Sequence, residues 1–162
     1  MRMRAMDLKI RYARPDDFEF VMGGRREIAR VEKEPIWDIG KEKKKIKEAV
    51  AGKRIRIACS GPKALGFLWF ARGRTAPFGL DYGDFGEELY WVDYVFVEEG
   101  EREKGIGAAL YKDLEELARR KGVGRIMLDV YEVNGPSRIF HEGLGFAPFL
   151  TIYSKRIANA RR

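Results

Sequence analysis

The order of apolar patterns in the second half of the sequence most constrains what this chain can fold into. Apolar runs typical of strands alternate there with segments whose apolar residues recur at helical spacing. The predicted order is strand 87–97, helix 105–121, strand 125–131, helix 136–144 and strand 146–156. Strands that alternate with helices in this way predict a mixed α/β domain.

The first half of the sequence adds a strand, two helices and a hairpin. The segments are strand 8–12, a helix that begins at 15–17, helix 39–50, and a hairpin of strands 54–59 and 64–72. Gly23 and Gly24 are expected to interrupt the first helix, because glycine destabilises a helix interior. Segment 73–86 contains four glycines and no sustained period, so we expect a long lid or binding loop there.

Length and composition place the chain among globular proteins. Its 162 residues suit one domain over 1–162, and an apolar content of 45% is too high for disorder. Charged residues make up 35% of the chain and interrupt the apolar runs too often for a membrane span. The single cysteine, Cys59, cannot form an intramolecular disulfide, and residues 8–12 supply no apolar signal-peptide core. We therefore expect a cytoplasmic protein in which Cys59 is structural.

The charge balance indicates what the surface attracts. A formal net charge of +7 gives a positive potential that favours phosphates, acidic cofactors or nucleic acid. Acidic and basic residues also alternate along most of the chain, which resembles the surface of a heat-adapted protein rich in ion pairs. Charge alone does not choose between these interpretations.

Residues 102–107, which we call the phosphate turn, connect a predicted strand to a predicted helix. The backbone N–H groups at a helix start have no intrahelical partners, and the helix dipole adds positive potential there. Gly105 and Gly107 lack Cβ atoms, so phosphate oxygens could approach the main chain, while Arg102 and Lys104 supply positive charge. The turn matches neither the dinucleotide-binding fingerprint nor the P-loop. An anion site and an ordinary helix start both fit this turn alone.

Two further motifs make the turn specific. Residues 97–107 resemble the acetyl-CoA motif of the GNAT superfamily of N-acetyltransferases, in which a strand leads into Arg/Gln-x-x-Gly-x-Gly/Ala. Residues 134–146 resemble the second signature of that family, and residues 10–17 resemble its opening strand and helix start. The resemblance implies the GNAT fold, a splayed, mixed and mostly antiparallel sheet flanked by helices. It also implies transfer of an acetyl group from acetyl-CoA directly to an amine in a ternary complex.

The resemblance further implies where acetyl-CoA binds. The sheet would split between the strand ending at Val97 and the strand ending at Tyr131, and the pantetheine arm would lie in the split as an added strand does. The phosphate turn would bind the pyrophosphate, and no metal is implied. The implied CoA-binding residues are Val95, Phe96, Val97, Arg102, Glu103, Lys104, Gly105, Ile106, Gly107, Asn134, Ser137, Arg138 and His141.

Acetyl transfer to an amine requires a base and a donor to the developing oxyanion. The resemblance implies the main-chain N–H of Val95 as that donor. Asp93 is favoured as the base over Glu87 and Glu88, because Trp91, Asp93 and Val95 would share one face of a regular strand. An ordinary salt bridge is the alternative role for Asp93.

His141 departs from the second signature, in which a tyrosine usually occupies this position. An imidazole can donate a proton near neutral pH, so His141 could protonate the departing CoA sulfur. It could equally only cap or pack a helix, in which case the hydroxyl of Tyr131 is the alternative acid.

The amine acceptor is not specified by the sequence, which allows peptide N-termini, lysine side chains, polyamines and small amines. The aromatic candidates for an acceptor pocket are Trp37, Trp69, Trp91, Phe78, Tyr82 and Phe85, and the acidic ones are Asp81, Asp84, Glu87 and Glu88. Sheet edges near the predicted final strand are compatible with a homodimer.

Two other classes of function stay open. The departure at His141 fits a non-catalytic module that senses acyl-CoA without turnover. The net charge and the lysine-rich face over 41–47 fit a nucleic-acid-binding protein, whose affinity would fall steeply with salt.

Overall fold

The computed structural model describes residues 7–75 and 85–157, which form a five-stranded sheet flanked by helices. The strands are β1 (Leu8–Tyr12), β2 (Ile55–Ser60), β3 (Lys63–Gly73), β4 (Leu89–Val97) and β5 (Arg125–Leu128). The helices are α1 (Phe18–Glu32), α2 (Ile39–Ala51), α3 (Ile106–Lys121) and α4 (Gly135–Gly143), with short 3₁₀ turns at Pro15–Asp17 and Glu99–Glu101. This element order confirms the predicted mixed α/β class.

The strands lie side by side in the order β1-β2-β3-β4-β5. The first four strands are antiparallel, and β5 is parallel to β4. The predicted hairpin is confirmed as β2 and β3, which are joined through Gly61 at a φ of 55°. The long crossover through α3 is what allows β5 to run parallel to β4.

Each face of the sheet carries its own apolar core. On one face α3 packs against β3 and β4, and we call this cluster the α3 core; its members include Leu68, Phe70, Tyr90, Val92, Leu110, Tyr111 and Leu114. On the other face α1 and α2 form the α1–α2 core, which includes Met22, Ile46, Ile57, Cys59, Phe67, Trp69 and Phe96. Period-two strands thus deliver alternate side chains to two helical layers.

The glycine pair in α1 does not interrupt the helix, so that prediction is wrong. The helix runs through Gly23 and Gly24 to Glu32. The two glycines differ in their surroundings: a Cβ at Gly24 would overlap the ring of Phe67 and lie 2.8 Å from Cδ1 of Phe96, whereas a Cβ at Gly23 would meet nothing within 4 Å. Gly24 therefore permits close approach of α1 to the sheet, and the packing gained offsets its poor helix propensity.

Pairing between β4 and β5 is short. The ladder joins Leu89–Val92 to Arg125–Leu128, and β5 ends at Leu128 rather than at the predicted Tyr131. Beyond Val92 the strand β4 continues to Val97 and pairs only with β3. The sheet is therefore split between β4 and β5, as predicted.

The predicted final strand over 146–156 is wrong, because the described residues after α4 contain no strand. Phe149 instead packs against Phe85, with ring centroids 5.8 Å apart, while Ile152 and Tyr153 are exposed. A strand forms only where a neighbour accepts its backbone hydrogen bonds, and the apolar pattern cannot supply that neighbour. The homodimer, which was predicted from this edge, stays a prediction.

Two other expectations concern the chain as a whole. Within 7–75 and 85–157, no helix is long and apolar enough to cross a membrane. The centre of the predicted lid, residues 76–84, lies outside the described residues, and so do Phe78, Asp81, Tyr82 and Asp84.

The glycine pair gives a matched test of the packing of α1. We expect Gly24→Ala to destabilise the fold by about 1–3 kcal/mol, because its methyl group overlaps the rings of Phe67 and Phe96. Gly23→Ala has open space and should stabilise the helix by about 0.5–1 kcal/mol. Urea unfolding of both variants measures the difference, and equal effects would show that α1 does not depend on this close approach.

Candidate functional site

The open edge of β4 is the first part of the site. On its β3 side, Val95, Phe96 and Val97 are paired with Leu68, Phe67 and Gly66. On the opposite side the β5 ladder has already ended at Val92. The structure therefore leaves this edge of β4 unpaired by β5, as the extended arm of a ligand would require.

A β-bulge lies at the start of the open edge. Trp69 pairs with Tyr94 and the next residue, Phe70, pairs with Val92, so Asp93 is the extra residue of β4. Bulges redirect side chains, and they are frequent beside active sites. After the bulge, Tyr94 packs with the α1–α2 core and Val95 packs with the α3 core. Val95 therefore lies on the face of Tyr90 and Val92 and not on that of Trp91 between them. The expectation that Trp91, Asp93 and Val95 share one face of a regular strand is wrong, because the bulge shifts the alternation.

The carboxyl group of Asp93 is partly buried at this bulge. The pKa of Asp93 is raised to about 6, chiefly by burial and also by neighbouring Asp129, while Arg54, Lys45 and Arg25 oppose the shift. Among the described residues, Asp93 forms no ion pair within salt-bridge distance. An ordinary salt bridge would lower the pKa of a carboxyl group, so the environment of Asp93 differs from that alternative.

Two carboxylates that the sequence analysis did not single out lie in the same electrostatic neighbourhood. Asp129 directly follows β5, and burial raises its pKa. Glu32 ends α1, and burial, with Asp129 as a smaller cause, raises its pKa also. The β4–β5 register brings the residue after Leu128 level with the residue after Val92. The parallel pairing of the two strands is the signal that could have placed Asp129 beside Asp93.

The two glutamates that were considered as alternative bases are engaged elsewhere. Glu87 pairs with Arg125 at 2.8 Å, and Glu88 pairs with Arg72. Both precede β4 and lie at the end of the strand away from the open edge. The structure therefore separates Glu87 and Glu88 from Asp93.

The phosphate turn has the free donors that the sequence predicted. The first helical N–H with a backbone acceptor is that of Ala109, which donates to the carbonyl of Gly105 at 3.0 Å. Within the described chain, none of the backbone hydrogen bonds of turns and caps uses an N–H from residues 103–108. Six consecutive main-chain donors at a helix N-terminus are therefore available to an anion.

The two glycines of the turn have different roles, one in backbone conformation and one in packing. Gly105 has a φ of 81° with open space around it, so its role is conformational. A Cβ on Gly107 would lie 2.8 Å from Cζ of Phe140, so this glycine allows α3 to pack closely on α4. Glu103, although not a glycine, also has a positive φ of 62°. The turn is held in an unusual backbone shape that points consecutive amides outward.

The basic side chains of the turn already contact neighbouring groups. The Nε of Arg102 donates to the carbonyl of Val97 at 3.1 Å, which links the turn to the end of the open edge. Lys104 lies 2.9 Å from Glu101, and Glu101 also binds Lys63. All these side chains lie at the surface, so such pairs are weak and can rearrange around an anion.

Helix α4 presents the residues of the second signature. The side chain of Asn134 accepts a hydrogen bond from the N–H of Ser137 at 3.3 Å and thereby caps the helix. Arg138 pairs with Glu132. Asn134 therefore acts as the turn-forming cap in this structure, and its expected contact with the pantetheine arm stays a prediction.

His141 is buried between α3 and α4, with 4% of its surface exposed. Its Nδ1 lies 2.7 Å from the carbonyl oxygen of Ser137, which can only accept, so Nδ1 carries the proton. Its Nε2 then accepts from the hydroxyl of Tyr111 at 2.7 Å. Burial lowers the pKa of His141 and raises the pKa of Tyr111, which keeps both groups neutral. Both ring nitrogens are engaged, so a role as acid would require the bond to Tyr111 to open.

The remaining candidates are distributed between core and surface. Trp69 and Trp91 are buried, Trp37 is exposed, and Phe85 packs on Phe149. Tyr131, the alternative acid, is 44% exposed, and its pKa is raised by burial and then by nearby carboxylates that include Asp129. The described residues contain no group of three or more side chains that could hold a metal ion.

Cys59 belongs to the α1–α2 core, where its Sγ donates to the carbonyl oxygen of Lys9 at 3.4 Å. The thiol is buried. Its position on β2, away from the open edge of β4, agrees with the structural role expected from the sequence.

Comparisons with known proteins agree with this architecture. A model described as the acetyltransferase (GNAT) family matches residues 25–146. Streptothricin acetyltransferase of Streptomyces lavendulae is 36% identical over 78 residues, which are 48% of this chain and 41% of that protein. The match therefore spans about two fifths of the length of this relative.

Solved structures of similar fold cover nearly the whole chain. A possible acetyltransferase from Clostridium difficile 630 aligns with a TM-score of 0.72 and 17% identity, over 94% of this chain and 99% of that one. The aminoglycoside N-acetyltransferase AAC(6')-Iy, in complex with CoA, aligns with a TM-score of 0.73 and 18% identity, over 98% and 99%. These alignments confirm the predicted fold.

The contact between Tyr111 and His141 can be tested by removing one oxygen. Tyr111→Phe leaves the buried Nε2 of His141 without its donor, so we expect a loss of about 1–3 kcal/mol in the free energy of unfolding. Tyr90→Phe is the control, because Tyr90 is a buried ring whose hydroxyl makes no hydrogen bond to another described residue. It should change stability by less than about 0.5 kcal/mol. Equal losses in the two variants would mean that the hydrogen bond contributes nothing.

Proposed function

The chain belongs to the acetyltransferase (GNAT) family, and on this basis we propose that it transfers the acetyl group of acetyl-CoA directly to an amine. One observation carries the proposal: the open edge of β4 leads, through Val97 and Arg102, into a turn with six free main-chain donors. The extended amide chain of pantetheine matches the open edge, and the pyrophosphate at its end matches the turn.

The residues present fit the two ends of CoA. Val95, Phe96 and Val97 would pair with the pantetheine amides along the open edge. The N–H groups of the phosphate turn would bind the pyrophosphate, because they combine unpaired donors with the positive end of the α3 dipole. Arg102 and Lys104 would exchange their present weak contacts for phosphate oxygens.

Asp93 is the base that we propose for the reaction. Acetyl-CoA supplies the acetyl group as a thioester; a C–N bond to the acceptor forms and the C–S bond breaks. Asp93 takes a proton from the attacking amine, directly or through water, and the N–H of Val95 donates to the carbonyl oxygen. A base works best when its pKa lies near the operating pH, and burial brings the pKa of Asp93 to about 6. The departing thiolate leaves with the electron pair of the C–S bond and takes up one proton from water, His141 or Tyr131, while Asp93 releases its proton to solvent.

The carboxylates near the split of the sheet favour an acceptor amine that carries positive charge. Asp93, Asp129, Glu32 and Glu34 act electrostatically on one another or on Tyr131, at the end of the sheet where the split opens. This local acidity contrasts with the net charge of +7 of the whole chain. Two similar proteins are named as a streptothricin acetyltransferase and an aminoglycoside N-acetyltransferase. We therefore extend the proposal to small amines that carry more than one positive charge.

A second function, binding of acyl-CoA without turnover, is favoured by one observation. His141 occupies the usual acid position, yet both of its ring nitrogens are engaged and the ring is buried. If the bond to Tyr111 does not open and no other group protonates the sulfur, CoA binding would persist without catalysis. A turnover assay separates the two functions.

The phosphate turn can be tested through its glycine of positive φ. Gly105→Ala places a Cβ in the left-handed region at a cost of about 1–2 kcal/mol, so we expect CoA to bind about tenfold more weakly. Gly100→Ala is the control, since Gly100 precedes the turn, has open space and needs no positive φ. Calorimetric titration with CoA measures both affinities. Equal affinities for CoA would remove the turn from the binding site.

Turnover is tested by release of CoA from acetyl-CoA across a panel of amines. We expect polyamines and amino sugars to be acetylated in preference to peptide N-termini. The value of kcat/KM should fall as pH decreases through about 6, because Asp93 must be ionised to accept a proton. Asp93→Asn should lower kcat and remove this acidic limb. CoA binding without release from any amine would favour the binding function instead.

Asp93 also gives a stability test with a defined sign. The folded-state pKa of Asp93 lies above the ordinary value of 3.8, so ionisation costs stability as pH rises through 3.8 to about 6. We expect Asp93→Asn to stabilise the fold at pH 8 by on the order of 1–3 kcal/mol. Asp113→Asn, which weakens the pair of Asp113 with Arg56, should destabilise it. Thermal unfolding at pH 8 and pH 4 measures both, and destabilisation by Asp93→Asn would show that Asp93 is held as a structural anion.

A further inference from the structure

A buried ion pair joins the two helices that cover the split end of the sheet. The Nε of Arg25 on α1 donates to Oε1 of Glu42 on α2 at 2.7 Å, and each side chain is 9% exposed. Removing two charges from water costs several kcal/mol per ion, and well-packed apolar residues often stabilise such a position equally well. Stability alone is therefore a weak explanation for this pair.

Arg25 also contacts the strand that carries Asp93. Its guanidinium carbon lies 3.5 Å from the centroid of the Tyr94 ring, the geometry of a stacked cation–π contact. Tyr94 is the residue at which β4 resumes pairing with β3 after the bulge at Asp93. The ring of Tyr94 also packs on Trp69, with ring centroids 5.3 Å apart. One guanidinium thus fixes α1, α2 and the residue next to the bulge.

This restraint is needed because the bulge lacks other support. Asp93 is the residue of β4 without a partner in β3, and the β5 ladder ends one residue before it. A bulge interrupts the ladder that would otherwise fix the strand. The contacts of Tyr94 with Arg25 and with Trp69 restrain the residue next to the bulge through side-chain packing.

The charges that face Asp93 come from four directions. In decreasing order of effect they are Arg54 before β2, Asp129 after β5, Lys45 on α2 and Arg25 on α1. Among the three cations only Arg25 is buried, while Lys45 is exposed and Arg54 is half-buried. Burial limits screening by water and ions, so the electrostatic effect of Arg25 on Asp93 persists at high salt.

We infer that Arg25 is a positioning residue for acetyl transfer: paired with Glu42 and stacked on Tyr94, it holds the bulge of β4 so that Asp93 faces the acceptor amine. The inference rests on the proposed role of Asp93 as base. Arg25 itself touches neither reactant; it acts through Tyr94 and through its charge.

Another ion pair of a buried arginine, with a half-buried aspartate, provides a matched control. Arg56 on β2 binds Asp113 on α3 at 2.7 Å, and its guanidinium carbon lies 4.1 Å from the centroid of Tyr12. The chemistry is the same, but Arg56 is not among the charges that act on Asp93. Apolar replacement of both members of either pair removes the charges while keeping the volume.

We expect the double variant Arg25→Met/Glu42→Leu to fold, to bind CoA with unchanged affinity and to lose about 10–100-fold in kcat. Its acidic limb of kcat/KM should move to higher pH, because a cation that lowers the pKa of Asp93 is gone. Arg56→Met/Asp113→Leu should keep both the wild-type kcat and the wild-type limb. Tyr94→Leu, which keeps the ion pair but removes the stacking, should lower kcat as the first variant does.

Titration of the Asp93 carboxyl carbon by NMR provides a readout that is independent of turnover. A higher pKa of Asp93 in Arg25→Met/Glu42→Leu than in the wild-type protein supports the inference, even if no amine proves to be an acceptor. Lack of turnover in the wild-type protein would count against the proposed function alone. The inference is overturned if Arg25→Met/Glu42→Leu matches the Arg56→Met/Asp113→Leu control in kcat, in the acidic limb and in the titration of Asp93.

Discussion

The early end of the β4–β5 ladder is the constraint on which the rest of the structure depends. Four residue pairs join the two strands, and beyond Val92 no strand formed by residues 7–75 or 85–157 pairs with β4 on that side. Unpaired backbone groups are costly when they are buried, so such an edge persists in a fold only where solvent or a ligand satisfies it. The bulge at Asp93 and the carboxylate of Asp129 come directly after the last pair of this ladder, and the turn before α3 follows the end of the open edge.

Several features of the site lower the stability of the fold, and the packing of the two cores must offset their cost. Asp93 is partly desolvated without an ion pair, Arg25 and Glu42 are buried charges, and Glu103 has a positive φ. A positive φ at a residue other than glycine costs roughly 1–3 kcal/mol, and burial of the Arg25–Glu42 pair costs several kcal/mol per ion before their attraction is counted. These features lie at the end of the sheet beyond the last β4–β5 pair, whereas the cores on the two faces follow ordinary packing. This distribution is expected when local strain serves function.

Local patterns predicted most elements and the phosphate turn, but not their partners. The hairpin of β2 and β3 and the helices α2 and α3 agree with their sequence periods to within a few residues. Gly23 and Gly24 were misjudged because helix propensity does not register the rings that pack against α1. The single strand face expected for Trp91, Asp93 and Val95 was wrong, because a bulge leaves no mark in the apolar alternation.

The sequence by itself determined the order of elements as far as α4, the helix start with free N–H groups at residues 102–107 and the family resemblance, because these depend on residues close together in the chain. Only the tertiary structure decided that Asp129 lies near Asp93 and Glu32 near Asp129, that His141 binds Tyr111 and that Arg25 stacks on Tyr94. It also decided that residues 146–156 form no strand within the described chain, although their apolar pattern predicts one. Desolvation, pairing and register arise from residues far apart in the chain, so no local pattern encodes them.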